Sequence, residues 1–159
     1  MAILVTGGAG YIGSHTCVEL LNIGEEIVIV DNFSNSKPKA LDRIREITGK
    51  DFKFYEVDLL NKEALERVFS ENDITEVIHF AGYKAVGESV AKPLMYYHNN
   101  ITGTLVLCEV MEKYQVKKLV FSSSATVYGM PKTVPITEDF PLSTTNPYGT
   151  TKLMIERIL

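Results

Sequence analysis

The chain has 159 residues, 45% of them hydrophobic and 23% charged, and carries a formal net charge of -4. This balance suits one globular domain with a real core and excludes a disordered segment. It leaves no basic footprint for nucleic acid, since Lys37, Lys39, Arg43 and Arg45 read as the solvated face of one helix.

The amino terminus runs straight into an apolar strand over residues 2–6, with no basic leader before it. That strand ends in Gly7-Gly8-Ala9-Gly10-Tyr11-Ile12-Gly13, which satisfies G-x-G-x-x-G from Gly8. Between a strand and a helix, such glycines permit a tight turn and close backbone approach, and the helix-end amides point at a pyrophosphate. Gly13, Cys17, Leu20 and Leu21 then mark a first helix, expected to pack its glycine end onto the sheet, and Gly24 supplies its stop. A second strand over 27–31 closes on Asp31, where an acidic side chain accepts from adenosine ribose hydroxyls and disfavours a 2'-phosphate, so NAD is expected over NADP.

Leu41, Ile44 and Ile47 mark a second helix opening after Ser36 and Pro38, and residues 53–58 a third strand. Leu65, Val68 and Phe69 mark a third helix after Asn61, followed by a fourth strand over 77–81. A helix over 93–114 carries Ile101, Leu105, Val106, Leu107, Cys108, Val110 and Met111, apolar nearly all round and so expected to be buried on more than one side. The second side predicts contact with another helix, from the part of the protein beyond this chain or from a second subunit; a homodimer of the full-length protein is the expectation. Residues 118–123 read as a fifth strand. Near-continuous apolar strands alternating with helices define an α/β fold of Rossmann-like, doubly wound parallel type with helices on both faces.

Cys17 and Cys108 fall inside helical patterns, so two reduced thiols are expected, with no disulfide and no metal site. No apolar run approaches the roughly 20 residues of a membrane span. A soluble, cytoplasmic protein is the expectation.

The chemistry gathers near the carboxyl end. Ser122-Ser123-Ser124 follows the apolar Leu119-Val120-Phe121, at the strand edge where open parallel sheets place ligands. Tyr148 and Lys152 stand four apart on a helical pattern, so the ammonium can favour loss of the phenol proton. Taking a phenol from about 10 to about 7 requires roughly 4 kcal/mol. One cation about 5 Å away, at an effective dielectric of about 20, gives roughly 3 kcal/mol. An oxidised nicotinamide ring would supply the remainder. By itself a Y-x-x-x-K match is more often an ordinary helical pair; the serine run and the glycine loop are what make Tyr148 a candidate base.

With Val5-Thr6-Gly7-Gly8-Ala9-Gly10-Tyr11-Ile12-Gly13-Ser14-His15, His79-Phe80-Ala81-Gly82-Tyr83-Lys84-Ala85-Val86-Gly87-Glu88-Ser89 and Phe121-Ser122-Ser123-Ser124-Ala125-Thr126-Val127-Tyr128-Gly129, the chain resembles the extended short-chain dehydrogenase/reductase family along essentially its whole length. The resemblance implies bound NAD. Gly7, Gly10, Tyr11, Ile12 and Gly13, with Asp31, Asn32, Phe33, Ser34, Asn35 and Ser36, would hold its pyrophosphate and adenosine ribose. Asp58 and Leu59 would flank the adenine, and Phe80, Ala81, Gly82, Tyr83, Lys84 and Asn99 would line the nicotinamide half. Ser124, Tyr148 and Lys152 would be catalytic, with Lys84, Ser124 and Tyr148 also meeting substrate, while His79 is expected to be a packed strand residue.

The family's nucleotide-sugar epimerases interconvert UDP-galactose and UDP-glucose through a transient 4-keto sugar, and that activity is the expectation. Its dehydratases place an acidic pair after the catalytic hydroxyl residue, whereas Ala125 and Thr126 follow Ser124 here, which argues against dehydration. A uronate epimerase or decarboxylase stays open, as does a non-catalytic NAD-binding module. Family chains are about twice as long. Residues 1–159 are therefore expected to be an incomplete NAD-binding domain, cut before the last strands and the UDP-sugar part, weak or inactive alone, with the strand around Val120 a raw edge.

Overall fold

The computed structural model describes Met1–Leu159, and the chain divides into two compact units. The first comprises Met1–Ala81 and Leu105–Ser122, the second Gly82–Thr104 and Ser123–Leu159.

A five-stranded parallel sheet builds the first unit: β1 (Ala2–Thr6), β2 (Ile27–Asp31), β3 (Lys53–Glu56), β4 (Ile74–His79) and β5 (Lys118–Phe121), in the order β3-β2-β1-β4-β5. All five expected strands are present. Because successive side chains point to opposite faces, β1 sends Leu4 to one side and Ile3 and Val5 to the other, and β2 divides Val28 and Val30 from Ile27 and Ile29. Leu4, Val28 and Val30 pack with Leu65 and Val68 of α3 (Lys62–Ser70) and with Leu107 and Val110 of α6 (Gly103–Lys113). The opposite face packs on Cys17 and Leu21 of α1 (Tyr11–Asn22) and on Leu41 and Ile44 of α2 (Lys39–Thr48). Each such fully buried side chain contributes about 1.5–3 kcal/mol, so neither face can be left open.

Local signals set the helix ends. Gly24, at φ +95°, donates to the Leu21 carbonyl, and Glu25 donates to that of Leu20, the paired bonds of a Schellman stop. Gly49, at φ +65°, ends α2, and the Asn61 side chain accepts from the Ala64 amide to open α3.

Four boundaries differ from expectation. β3 ends at Glu56 rather than 58, because the Asp58 carboxylate accepts from the Leu60 amide and turns the chain. β4 begins at Ile74, where Ala2 pairs with it across a bulge, and stops at His79 instead of 81; polar Thr75 and Glu76 hid its start. β5 stops at Phe121 rather than 123, although Ser122 still donates to the His79 carbonyl. Ile47 follows the apolar stripe of α2 yet is 65% exposed, since the buried face of this short helix ends at Ile44.

The expected helix over 93–114 is three pieces: α5 (Pro93–Tyr96), a π-helical turn (Tyr97–Thr102) and α6. In α6, Leu107, Val110 and Met111 are buried while Leu105 is 42% exposed, so one side meets the core and the other is not buried. The second unit adds α4 (Val86–Ala91), a 3-10 turn (Ala125–Tyr128) and α7 (Pro147–Ile158), which packs on α4, α5 and the π turn. The sequence pattern did not foresee α4. No helix is long and apolar enough to cross a membrane.

Leu65, with no exposure, should cost about 2–5 kcal/mol when cut to alanine, read as a lower denaturant midpoint at unchanged slope. Ile47→Ala, by contrast, should stay within about 0.5 kcal/mol of wild type.

Candidate functional site

In the first unit the loop after β1 has no room for side chains. A Cβ on Gly7, at φ +69°, would stand 2.7 Å from the Ala81 amide nitrogen, and one on Gly8 2.7 Å from Cγ2 of Ile29. A Cβ on Gly13 would stand 2.3 Å from the Gly7 carbonyl oxygen. The glycine end of α1 thus rests on the loop backbone, not on the sheet as expected, and it is Gly8 that meets the sheet. Gly10 caps α1 without any side-chain bond, and Tyr11 and Ile12 are exposed. The uncapped first turn, with its positive dipole end, is the chemistry an anionic pyrophosphate needs.

Asp31 is buried and braces this loop. Its Oδ2 accepts from the Ala9 amide at 3.0 Å, and its Oδ1 accepts from the Phe33 amide at 2.9 Å and from the Ser36 hydroxyl at 2.7 Å. A carboxylate offers about four acceptor positions, so one on Oδ2 is left for a ligand hydroxyl. Asn32 donates to Asp58 at 2.9 Å and accepts from the Ser34 amide at 3.0 Å, which ties the segment after β2 to the turn after β3. Asn35 is exposed on the same segment. Leu59 is buried in the core, so its main chain is what it offers a ligand. His79 is the packed strand residue expected, 1% exposed, with Nδ1 2.6 Å from the Thr6 hydroxyl. Phe80 packs in the core and donates its amide to Thr6, and Ala81 closes the unit against Gly7.

The second unit holds the proton-transfer candidates. Ser124 caps the 3-10 turn, its Oγ accepting from the Thr126 amide at 3.2 Å and from the Thr126 hydroxyl at 2.9 Å. With both lone pairs engaged, Ser124 meets a ligand through its O–H proton. Tyr148 stands in the first turn of α7, 9% exposed, where Pro147 opens the helix and the Asn146 side chain accepts from the Gly149 amide at 2.8 Å. A Cβ on Gly149 would lie 3.0 Å from the Thr126 carbonyl oxygen, so the bare glycine lets α7 seat against the turn that carries Ser124.

Lys152, one turn beyond Tyr148, is 6% exposed, and burial pulls its ammonium down to about 8. It is therefore roughly nine-tenths charged at neutral pH and loses that charge above about 8. The Lys152 charge is therefore not fixed across the neutral-to-alkaline range.

Lys84 is exposed. Tyr83 is fixed by a residue that sequence reasoning missed: Asn100 accepts from the Tyr83 amide at 2.8 Å and donates to the Tyr83 carbonyl at 2.9 Å and to Thr151 at 3.1 Å. Asn99 donates to the Asn100 side chain at 2.9 Å, and Gly82 faces that same side chain. Two adjacent asparagines in a helical run were the available signal. Tyr96 was also missed. Fully buried, its hydroxyl accepts from the Ala85 amide at 3.1 Å and donates to Glu88 at 2.9 Å, and desolvation together with that carboxylate pushes it up to about 12. No cluster of His, Cys, Asp or Glu is suited to a metal ion. Cys17 and Cys108 are free thiols, the first buried and the second half-buried, and burial raises both.

With the glycine cradle and its acidic brace in the first unit and Ser124, Tyr148 and Lys152 in the second, the chain belongs to the NAD dependent epimerase/dehydratase family, whose profile matches residues 3–159. Within it, the chain is 75% identical to the UDP-glucose 4-epimerase of Bacillus subtilis over 159 residues, all of this chain and 47% of that protein. It is 64% identical to the UDP-glucose 4-epimerase of Haemophilus influenzae over 160 residues, again 47% of that protein. The crystal structure of UDP-glucose 4-epimerase from Bifidobacterium longum, in complex with NAD+ and UDP, superposes with a TM-score of 0.97 at 60% identity, covering 99% of this chain and 48% of that one. The chain spans about half the length of the curated relatives it matches.

Lys152 sets a stability test. The unfolded amine titrates near 10.5 and the buried one near 8, so the folded chain binds fewer protons between those values and stability rises with pH through that window. Below about 8 the whole burial cost is present, roughly 3 kcal/mol. Lys152→Met should therefore raise the denaturant midpoint at pH 7, and its advantage should shrink as the pH approaches 10.

Proposed function

We propose that residues 1–159 are the NAD-binding portion of a UDP-glucose 4-epimerase, which interconverts UDP-galactose and UDP-glucose in galactose metabolism. The observation that carries this reading is the 75% identity to the Bacillus subtilis enzyme across the whole chain. The local chemistry supports it. Gly7, Gly10, Tyr11, Ile12 and Gly13 form a cradle that a Cβ at Gly7 or Gly13 would fill, suited to a pyrophosphate. The remaining Oδ2 position of Asp31 suits an adenosine ribose hydroxyl, with the segment from Asn32 to Ser36, Asp58 and the Leu59 main chain toward the adenosine. Phe80, Ala81, Gly82, Tyr83, Lys84 and Asn99 are assigned to the nicotinamide half.

Tyr148, as phenolate, removes the proton of the sugar 4-hydroxyl, with Lys152 one turn further along α7. Ser124 donates its O–H to the same sugar oxygen, the one direction its hydroxyl has left. NAD held there would supply the hydride acceptor and donor for carbon 4. The sugar passes through a transient 4-keto form, and Tyr148 returns the proton. Lys84 also meets substrate. Thr126 donates to Ser124 where a dehydratase carries acid, which favours epimerisation over loss of water.

The full-length protein is assigned to the cytoplasm as a homodimer. Leu94, Met154 and Ile158 leave apolar surface exposed in the second unit, in keeping with a partner.

Full-length protein given UDP-galactose, with no NAD added, should form UDP-glucose, followed by chromatography. Tyr148→Phe should lower kcat by about 10²- to 10⁴-fold while the purified protein keeps its NAD. A protein that contains NAD but turns over only a UDP-uronate would replace this reading with the uronate alternative.

A further inference from the structure

We propose that Ser89 is a positioning residue for Tyr148: a buried hydroxyl on α4 that fixes where the proton-transferring tyrosine stands at the start of α7. The proposal rests on the reading of Tyr148 as the base, and it adds a residue with which that reading does not deal.

An α-helix opens with amide donors that have no partner inside the helix. In α7 each can be traced. Pro147 has no N–H, Gly149 donates to the Asn146 side chain at 2.8 Å, and Thr150 donates to the Asn146 carbonyl at 3.0 Å. The Tyr148 amide alone in this turn is taken by a distant element: it donates to Oγ of Ser89 at 3.2 Å, 59 residues earlier in the chain.

The acceptor is itself held. Ser89 has no exposure, and its own proton goes to the Val86 carbonyl at 2.6 Å, which turns a lone pair toward Tyr148. α4 is only six residues long and has no side-chain cap, so it is too short to be stable alone. It is steadied by Tyr96, whose hydroxyl bonds both the Ala85 amide and Glu88. One residue on, Gly149 seats α7 against the Thr126 carbonyl, and Thr126 bonds Ser124. Consecutive residues of α7 are thereby clamped from two elements, one of which carries Ser124.

Without the Ser89 hydroxyl the Tyr148 amide is buried with no acceptor, and the helix start regains one only by shifting. A displacement of about 1 Å costs about 100-fold in rate. The test uses four full-length proteins: wild type, S89A, Y148F and the double variant, each assayed on UDP-galactose. S89A should lower kcat by about 10- to 100-fold with KM and bound NAD unchanged. In the Y148F background the same change should cost little, because Ser89 acts through the phenol that Y148F has removed. S89C, which fills the space with a weak acceptor, should share the loss and covers the case in which S89A does not fold. Wild-type kcat in S89A, or an equal loss with and without the phenol, overturns the proposal. A wild type that carries NAD but leaves UDP-galactose unchanged removes the epimerase reading, and this proposal with it.

Discussion

The structure of the first unit depends on β1 being covered on both sides. A strand with Leu4 on one face and Ile3 and Val5 on the other cannot satisfy its side chains with one layer of helices. It therefore requires α3 and α6 beneath one face and α1 and α2 beneath the other, and parallel order supplies them because each crossover lays a helix on the sheet. The glycine loop follows from the same constraint: leaving a central strand for a helix packed on one face, the chain must turn within a few residues. The space for that turn exists only where Gly7, Gly8 and Gly13 carry no Cβ.

Much of this was legible because burial on two faces writes itself as unbroken apolar runs, and 2–6 and 27–31 were read to the residue. Legibility failed where polar residues belong to a strand, as Thr75 and Glu76 do in β4, and where an apolar residue is left in solvent, as Ile47 is. It failed again over 93–113, because helical spacing does not distinguish an α-helix from one interrupted by a π turn. α4 is formed by tertiary contacts of Tyr96, Glu88 and Ser89 more than by its own sequence pattern.

The site was legible as residue types but not as supports. Gly7, Asp31, Ser124, Tyr148 and Lys152 stand out because their chemistry is unusual at those places, whereas Asn100, Tyr96 and Ser89 act through bonds to main-chain groups that no spacing rule encodes. Lys152 shows the tension this creates. An ammonium with 6% exposure is held away from the water that would stabilise it, so a residue proposed to serve the chemistry weakens the fold that presents it. Tyr96 is the counterpart, a tyrosine in the same unit kept neutral by burial and a carboxylate.

Asp31 has a consequence for how such a protein could change its cofactor. The usual way to admit a phosphorylated ribose is to remove the acidic residue that repels it. Here the same carboxylate holds the Ala9 amide, the Phe33 amide and the Ser36 hydroxyl. Replacing it would, in the same stroke, untie the glycine turn after β1 from the segment that follows β2. A switch of coenzyme in this scaffold is therefore not a single-residue step in redesign or in descent, because new acceptors for three orphaned donors must arrive with it.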